Sequence, residues 1–396
     1  SSDPTQLNAT HCIGSNPLLA MRAGALQLGR MVPLLIVSMT IAVRISARVP
    51  LIIDTDIGGG GCRDVDDVAA ICMAHALADN GEVDLLAIVQ NTQPPACAGA
   101  ISVLNHFYGR DDLPIGAYRG KDLTPSPPLP FVDDLVANWS SPVKNTSQVS
   151  DAVHVYRRVL SAQRDHSVVI SSIGLLTNLK ALLTSAPDKH SHLSGRDLLA
   201  RKVAVLAVMG GAYPSSGPTC ECNFCASSAW GGLDHQVAAE ASAYVVKYMP
   251  PKVKIIFSGF EVGVAVQSGA ALSSCAPESN PCRRAYIDYE GGLNRSRYSW
   301  DPLTTLVAVR GAAAAGCREC TNCSGSNWVN ATSGSNRWID GRSSNQTYLV
   351  LRNSTQAGKA IDDLLCQLPR HQAHGNSQPT SIVQSLRMPL SRLPAK

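Results

Sequence analysis

Aromatic residues make up only 5% of this 396-residue sequence, and charged residues only 16%. No basic run with interleaved aromatics occurs, so the stacking platforms and phosphate-binding stripes of nucleic-acid binders are missing. The net charge of +4 is mild and spread along the chain. The apolar run Met31–Val43 is thirteen residues long, too short to span a bilayer, and stable membrane insertion is not expected. No internal repeat recurs at a fixed period. What is plentiful is alanine, valine and leucine, within a hydrophobic fraction of 45%, the composition of buried parallel strands flanked by helices.

Cysteine is abundant, with thirteen residues. The triplets Cys220/Cys222/Cys225 and Cys317/Cys320/Cys323 have the ligand count of a zinc site. They equally suit disulfides in a secreted protein. Eight Asn-x-Ser/Thr sequons favour the second reading, at Asn8, Asn138, Asn145, Asn294, Asn322, Asn330, Asn345 and Asn353. Eighteen asparagines would produce roughly two or three by chance, so the excess points to glycosylation and a secretory route. From Met21 the chain has two arginines, the apolar run and a small-residue cleavage site at Ile45-Ser46-Ala47, the anatomy of a signal peptide over about 21–47. Cleavage there would also remove Cys12 and leave twelve cysteines. Residues 1–20 precede this segment, so either the true start is Met21 or the run is a first buried element.

Short apolar runs at Val49–Ile53, Val83–Val89, Val168–Ser171, Val203–Val208 and Val253–Phe257 alternate with helix-like stretches. Those stretches are Val65–Leu77, Ala98–Phe107, Asp151–Ala162, Leu175–Leu183 and Gln236–Tyr248. This rhythm predicts βαβ units: an α/β fold with an open, mostly parallel, Rossmann-like sheet and helices on both faces. The expected organisation is a signal-like or disordered segment 1–47, one domain over 48–369, and a disordered tail over 370–396. Proline-rich Leu123–Asn145 reads as a long surface loop. Gly311–Ser344, rich in Gly, Ser, Asn and Cys, reads as a disulfide-pinned excursion.

The most informative stretch is LIIDTDIGGGGCRDVDDVAA, residues 51–70. A buried strand ends at Asp54 and Asp56, a glycine-rich loop follows, and Asp64, Asp66 and Asp67 open the next helix. In an open parallel sheet this is where the ligand crevice lies. Five carboxylates within fourteen residues repel one another unless a hard cation neutralises them, and oxygen ligands suit Ca²⁺ or Mg²⁺. Capping of a helix N-terminus accounts for one such aspartate, not for five.

These residues resemble the DTDPGxDD-like hallmark of the inosine–uridine-preferring nucleoside hydrolases, with Asp54, Asp56, Asp66 and Asp67 at the matching positions and a longer glycine loop between them. Weaker matches follow in order as far as about residue 366. Asn91 in AIVQNTQ matches a ribose-binding asparagine, and Thr177 in SIGLLTNLKALL a threonine whose carbonyl reaches calcium. VMGGAY followed by Glu221-Cys222-Asn223-Phe224 matches an MGG…EFN pair that holds ribose hydroxyls. RYSWDPLTTLVAV places Asp301 at a calcium-binding aspartate. Taken singly, an asparagine after a strand is a common turn residue, and Ser-Trp-Asp-Pro is a common helix start. The chain departs where the family commonly carries a general-acid histidine: here that position is Trp300, and an indole cannot donate a proton at a useful pKa.

The resemblance implies hydrolysis of the N-glycosidic bond of ribonucleosides with Ca²⁺ as cofactor. Asp56 is then the candidate base and a metal ligand, with Asp67, Asp301 and the Thr177 carbonyl completing the metal shell. Asp66, Asn91, Glu221 and Asn223 would grip the ribose, and Trp300 would stack on the base. The partner is a small nucleoside; relatives are usually dimers or tetramers, so a homo-oligomer is possible. Two other readings stay open: a riboside-binding homologue with weak catalysis, and a Mg²⁺-dependent haloacid-dehalogenase-like phosphatase with Asp54 as nucleophile.

Overall fold

The computed structural model describes residues 47–375, apart from 60, 121–128, 218–219, 226–234 and 343. The signal-like segment up to residue 46, most of the proline-rich stretch before Leu129 and the tail beyond 375 lie outside the described residues.

The strands in chain order are β1 (Val49–Thr55), β2 (Val83–Gln90), β3 (Ile115–Ala117), β4 (Ser150–Asp151), β5 (Val168–Ile173), β6 (Val203–Met209) and β7 (Lys254–Ser258). They continue as β8 (Gln267–Ser268), β9 (Arg297–Tyr298), β10 (Cys317–Glu319), β11 (Gly325–Val329), β12 (Asn336–Asp340) and β13 (Gln346–Leu351). Nine form one sheet in the order β10-β13-β7-β6-β5-β1-β2-β3-β4. Every pairing in it is parallel except β10 with β13. The α/β fold expected from the sequence is therefore present, with one antiparallel edge.

Side chains alternate across this sheet with the two-residue period of a strand. Leu51 and Ile53 of β1 join one buried cluster, and Ile52 joins the other. The first cluster is closed by helices Asp66–Asp79, Cys97–Phe107, Trp300–Ala314 and Ser354–Leu365, the second by Ala152–Ser161, Thr177–Leu183 and His235–Tyr248. Strand order runs outward from β1 in two directions, towards β2 and towards β5. The loops after β1 and β5 therefore part at the sheet's centre and open the crevice typical of such switch points.

Three stretches differ from the sequence reading. Pro130–Asn138 is a helix inside the expected proline-rich loop, with Pro130 in its first turn, where the missing N–H would have no partner in any case. The Gly311–Ser344 excursion contains edge strand β10 and hairpin β11–β12, and is pinned by Cys320–Cys323. Arg370–Gly375 is helical, beyond the expected boundary at 369, and the Arg370 amide donates to Asp79. No helix among the described residues is long and apolar enough to cross a membrane.

The cysteines pair as Cys62–Cys222, Cys72–Cys282, Cys220–Cys225, Cys275–Cys366 and Cys320–Cys323. Both triplets thus contribute to disulfides, and the zinc alternative loses its ligands. Cys97 and Cys317 are buried free thiols, so the even count of twelve does not translate into six bridges. Alkylation of denatured, unreduced protein should label Cys97 and Cys317 while sparing the ten paired residues. Labelling of Cys62, Cys72, Cys222 or Cys282, read by peptide mass, would contradict this pairing.

Candidate active site

The site lies at the carboxyl ends of β1, β2, β5 and β6. Thr55 closes β1 and places Asp56 just beyond it; Asp66 and Asp67 begin the helix that follows, where the dipole favours negative charge. Asp301 enters from the first turn of helix Trp300–Ala314, which packs beneath the sheet on the same side. Carboxylate oxygens of Asp66, Asp67 and Asp301 lie within 4.8 Å of one another, and all three residues are buried. Asp66 accepts a hydrogen bond from the Asp301 amide at 3.1 Å, and Thr55 Oγ1 donates to Asp67.

Asp56 is buried beside them, and neither of its carboxylate oxygens has a hydrogen-bond partner among the described residues. Burial, followed by the charge of Asp66, holds its carboxyl well above the usual range. Asp67 and Asp301 are raised by burial and then by their carboxylate neighbours, Asp56 and Asp66 respectively. Such orphaned oxygens are costly unless a cation or ordered water meets them. The donor set is all oxygen, the choice of a hard divalent ion. These residues fit a metal.

Two glycines let the backbone pass this close. A Cβ on Gly61 would lie 2.2 Å from Asp56 Oδ2. One on Gly174 would lie 2.6 Å from both Asp56 Oδ1 and Asn91 Nδ2. The glycine-rich loop and the Ile173-Gly174-Leu175 turn thus form the walls around Asp56.

Asp54, the other aspartate of β1, is spent on architecture. Its oxygens accept from Asn91 Nδ2 and Asn178 Nδ2 at 3.0 Å each and from the Tyr156 hydroxyl at 2.7 Å. Burial pushes its carboxyl up to about 7. Fully buried and triply bonded, it has no line of attack, which removes the phosphatase reading. Asn91 is oriented by that bond and by the Leu175 amide on its Oδ1, leaving one N–H of its amide for a ligand. Thr177 opens the helix after β5, and its hydroxyl donates to the Asn91 carbonyl at 2.7 Å.

Above the cluster is a pocket whose wall includes Asp66, Asp301, Met209, Trp300, Cys62 and Cys222. Glu221 and Asn223 do not form that wall; the Cys62–Cys222 disulfide stands in front of them. Glu221 Oε1 accepts the Asn223 amide at 2.8 Å and lies 3.2 Å from Cys222 Sγ. Its Oε2 accepts the Gly211 amide at 2.9 Å. Asn223 Oδ1 lies 3.2 Å from Cys62 Sγ. Backbone donors at the start of the short helix Cys222–Cys225 thus turn the Glu221 carboxylate inward, and burial pushes it up to about 7.

Trp300 does line the pocket, half-buried. Its Nε1 donates to the Phe260 carbonyl at 2.9 Å, and its ring packs 5.4 Å from Phe260 and 5.2 Å from Tyr298. The indole edge is therefore committed, and no histidine lines this pocket among the described residues. Sequence reasoning missed Arg297, which also lines it and clamps Asp64: its Nε lies 2.9 Å from both Asp64 oxygens. Its closeness to the pocket had no signal in the sequence, because 233 residues separate Arg297 from Asp64.

Residues 51–229 match the family model described as "Inosine-uridine preferring nucleoside hydrolase". No curated protein sequence matches the chain. Among solved structures, a plant nucleoside hydrolase aligns with TM-score 0.55 at 18% identity, over 80% of this chain and 99% of its own. The Bacillus anthracis inosine-uridine preferring nucleoside hydrolase gives 0.55 at 16%, over 80% and 99%. The purine-preferring ribonucleoside hydrolase from Gardnerella vaginalis gives 0.57 at 15%, over 81% and 99%. At these identities the likeness speaks for the fold, which extends well past the matched segment and takes in Trp300 and Asp301. The matched segment carries Asp54, Asp56, Asp66 and Asp67 together with Asn91, Tyr156 and Asn178, and over it this chain is similar to the inosine–uridine-preferring nucleoside hydrolases.

Proposed function

We propose that the protein hydrolyses the N-glycosidic bond of ribonucleosides to ribose and free base, with Ca²⁺ as its ion. The observation that carries this is the pair of unpartnered, buried Asp56 oxygens beside the Asp66/Asp67/Asp301 cluster. Asp56, Asp67, Asp301 and the carbonyl of Thr177 would hold the ion. Bound there, it would lower the pKa of a water and orient it. Asp56 would take a proton from the attacking water. Asp66 and the remaining Asn91 N–H fix ribose hydroxyls, which turns sugar binding into alignment of the anomeric carbon. Glu221 and Asn223 belong to the ribose end of the pocket, one layer beneath the disulfide. The carboxylates also stabilise the positive charge that develops on the ribose ring.

The face of Trp300, with its edge fixed by Phe260, supports stacking on the base. Five disulfides and seven described sequons, none of them buried, support a secretory route. A homo-oligomer remains part of this reading through its relatives alone.

Ribose release from inosine, uridine, adenosine and guanosine, with and without chelator, tests the reading. Asp67→Ala should lose at least about 10²-fold in kcat/KM while remaining folded by circular dichroism, since one carboxylate lost from a hard-cation shell is rarely replaced. A folded Asp67→Ala protein with full, chelator-insensitive activity would sink the assignment.

Purine ribosides should be preferred over uridine. Trp300→Leu should lower kcat on purine ribosides with little change in Tm, whereas a core-filling Trp300 would show the reverse. Trp300→His offers the companion measurement: a gain on uridine would show a pocket that still accommodates an acid. Unchanged turnover by both variants on every riboside would leave Trp300 without a catalytic role.

Glycan mapping on protein from its native source should find occupancy at exposed Asn294, Asn322 and Asn353. Asn345, whose amide nitrogen donates to the Val253 carbonyl, should be bare. An unglycosylated protein retaining residues 1–47 would contradict the secretory reading.

A further inference from the structure

We propose that Arg297 is the group that receives the departing base, using its Nη1 edge in a pocket that no histidine lines among the described residues. The proposal rests on the hydrolase reading above. Negative charge builds on the base as the bond breaks, yet the pocket floor consists of Asp66 and Asp301, which oppose it. Trp300 cannot help as a donor, because its only N–H is bonded to Phe260.

Arg297 has the placement this task requires. It lines the same pocket as Asp66, Trp300 and Asp301, and its charge is felt at Asp66. Its Nε and Nη2 face Asp64, and the guanidinium lies 5.2–5.6 Å from the ring centroids of Tyr289, Tyr298 and Trp300. A guanidinium clamped by a carboxylate and bordered by three rings has little freedom to turn. Nη1 forms no hydrogen bond with any described residue, so its two N–H groups remain for a ligand beside the indole on which the base stacks. Such a fork suits the carbonyl oxygen or ring nitrogen of a nucleobase.

The chemistry balances without an acid. The C1′–N bond breaks and its electron pair leaves with the base. A water oxygen bonds to C1′, and its proton passes to Asp56. The base anion, stabilised by the Arg297 cation, takes a proton from solvent on release. Arginine stays protonated throughout, so it acts by charge and hydrogen bonding.

A leaving group that needs no stabilisation separates this role from a structural one. kcat/KM should be compared for inosine, uridine and p-nitrophenyl β-D-ribofuranoside, whose phenolate departs readily. Arg297→Gln should lose about 10²-fold on both nucleosides and less than about threefold on the nitrophenyl riboside, the loss of one preorganised donor at developing charge. Arg297→Lys, which keeps the charge and the Asp64 pair, should recover part of that loss, and serves alone if Arg297→Gln does not fold. Equal losses on both substrate classes, or no loss on nucleosides, would overturn the proposal while leaving the hydrolase reading intact. Wild-type protein that releases ribose from none of the three would overturn both.

Discussion

Mutual repulsion among buried carboxylates is the constraint around which the catalytic end of this fold is arranged. Asp56, Asp66, Asp67 and Asp301 share one water-poor volume. At an effective dielectric of about 20, two full charges at such spacing repel by roughly 3–4 kcal/mol. The backbone donors on offer, such as the Asp301 amide to Asp66, relieve only part of that. Everything nearby makes the arrangement possible: the helix N-terminus under Asp66 and Asp67, the bare backbone of Gly61 and Gly174 against Asp56, and the Asp54–Tyr156–Asn178 bonds that fix β1 and β2 in register. A cation completes the balance, so the cluster reads as a binding site.

The same electrostatics explain how the pocket divides. Its floor is anionic and suits a metal and a ring that turns cationic. Its rim is aromatic, with Phe260, Tyr289 and Trp300, the last two beside Arg297. Asp64 shows the division most clearly: the fifth aspartate of the motif leaves the cluster to neutralise Arg297 and accepts the Val65 amide at 2.6 Å. The helix that follows has no side-chain cap, so capping accounts for none of the five.

The five central strands and the helices between them were legible because apolar runs in a parallel sheet are continuous and short, as at Val168–Ile173. The short edge strands β3 and β4 were not, since two or three residues carry no periodicity, and β13 lay hidden beyond the Cys-rich excursion. Asp67 and Asp301 were placed at one site by resemblance, and geometry brings their carboxylates together. The Cys62–Cys222 bridge was beyond reach, because 160 residues separate its ends and pairing cannot be read from spacing. That bridge changes the pocket wall: it ties the lengthened glycine loop to the Glu221–Asn223 segment and puts sulfur where the motif alone suggested a carboxylate and an amide.

Because a ligand that binds only the folded state raises its stability by mass action, the thermal midpoint of metal-stripped protein titrated with Ca²⁺ tests the cluster most directly, independently of any substrate. The account predicts a saturable rise in Tm that chelator reverses and that Asp67→Ala abolishes. A midpoint indifferent to Ca²⁺ and Mg²⁺ in the folded wild-type protein would contradict it.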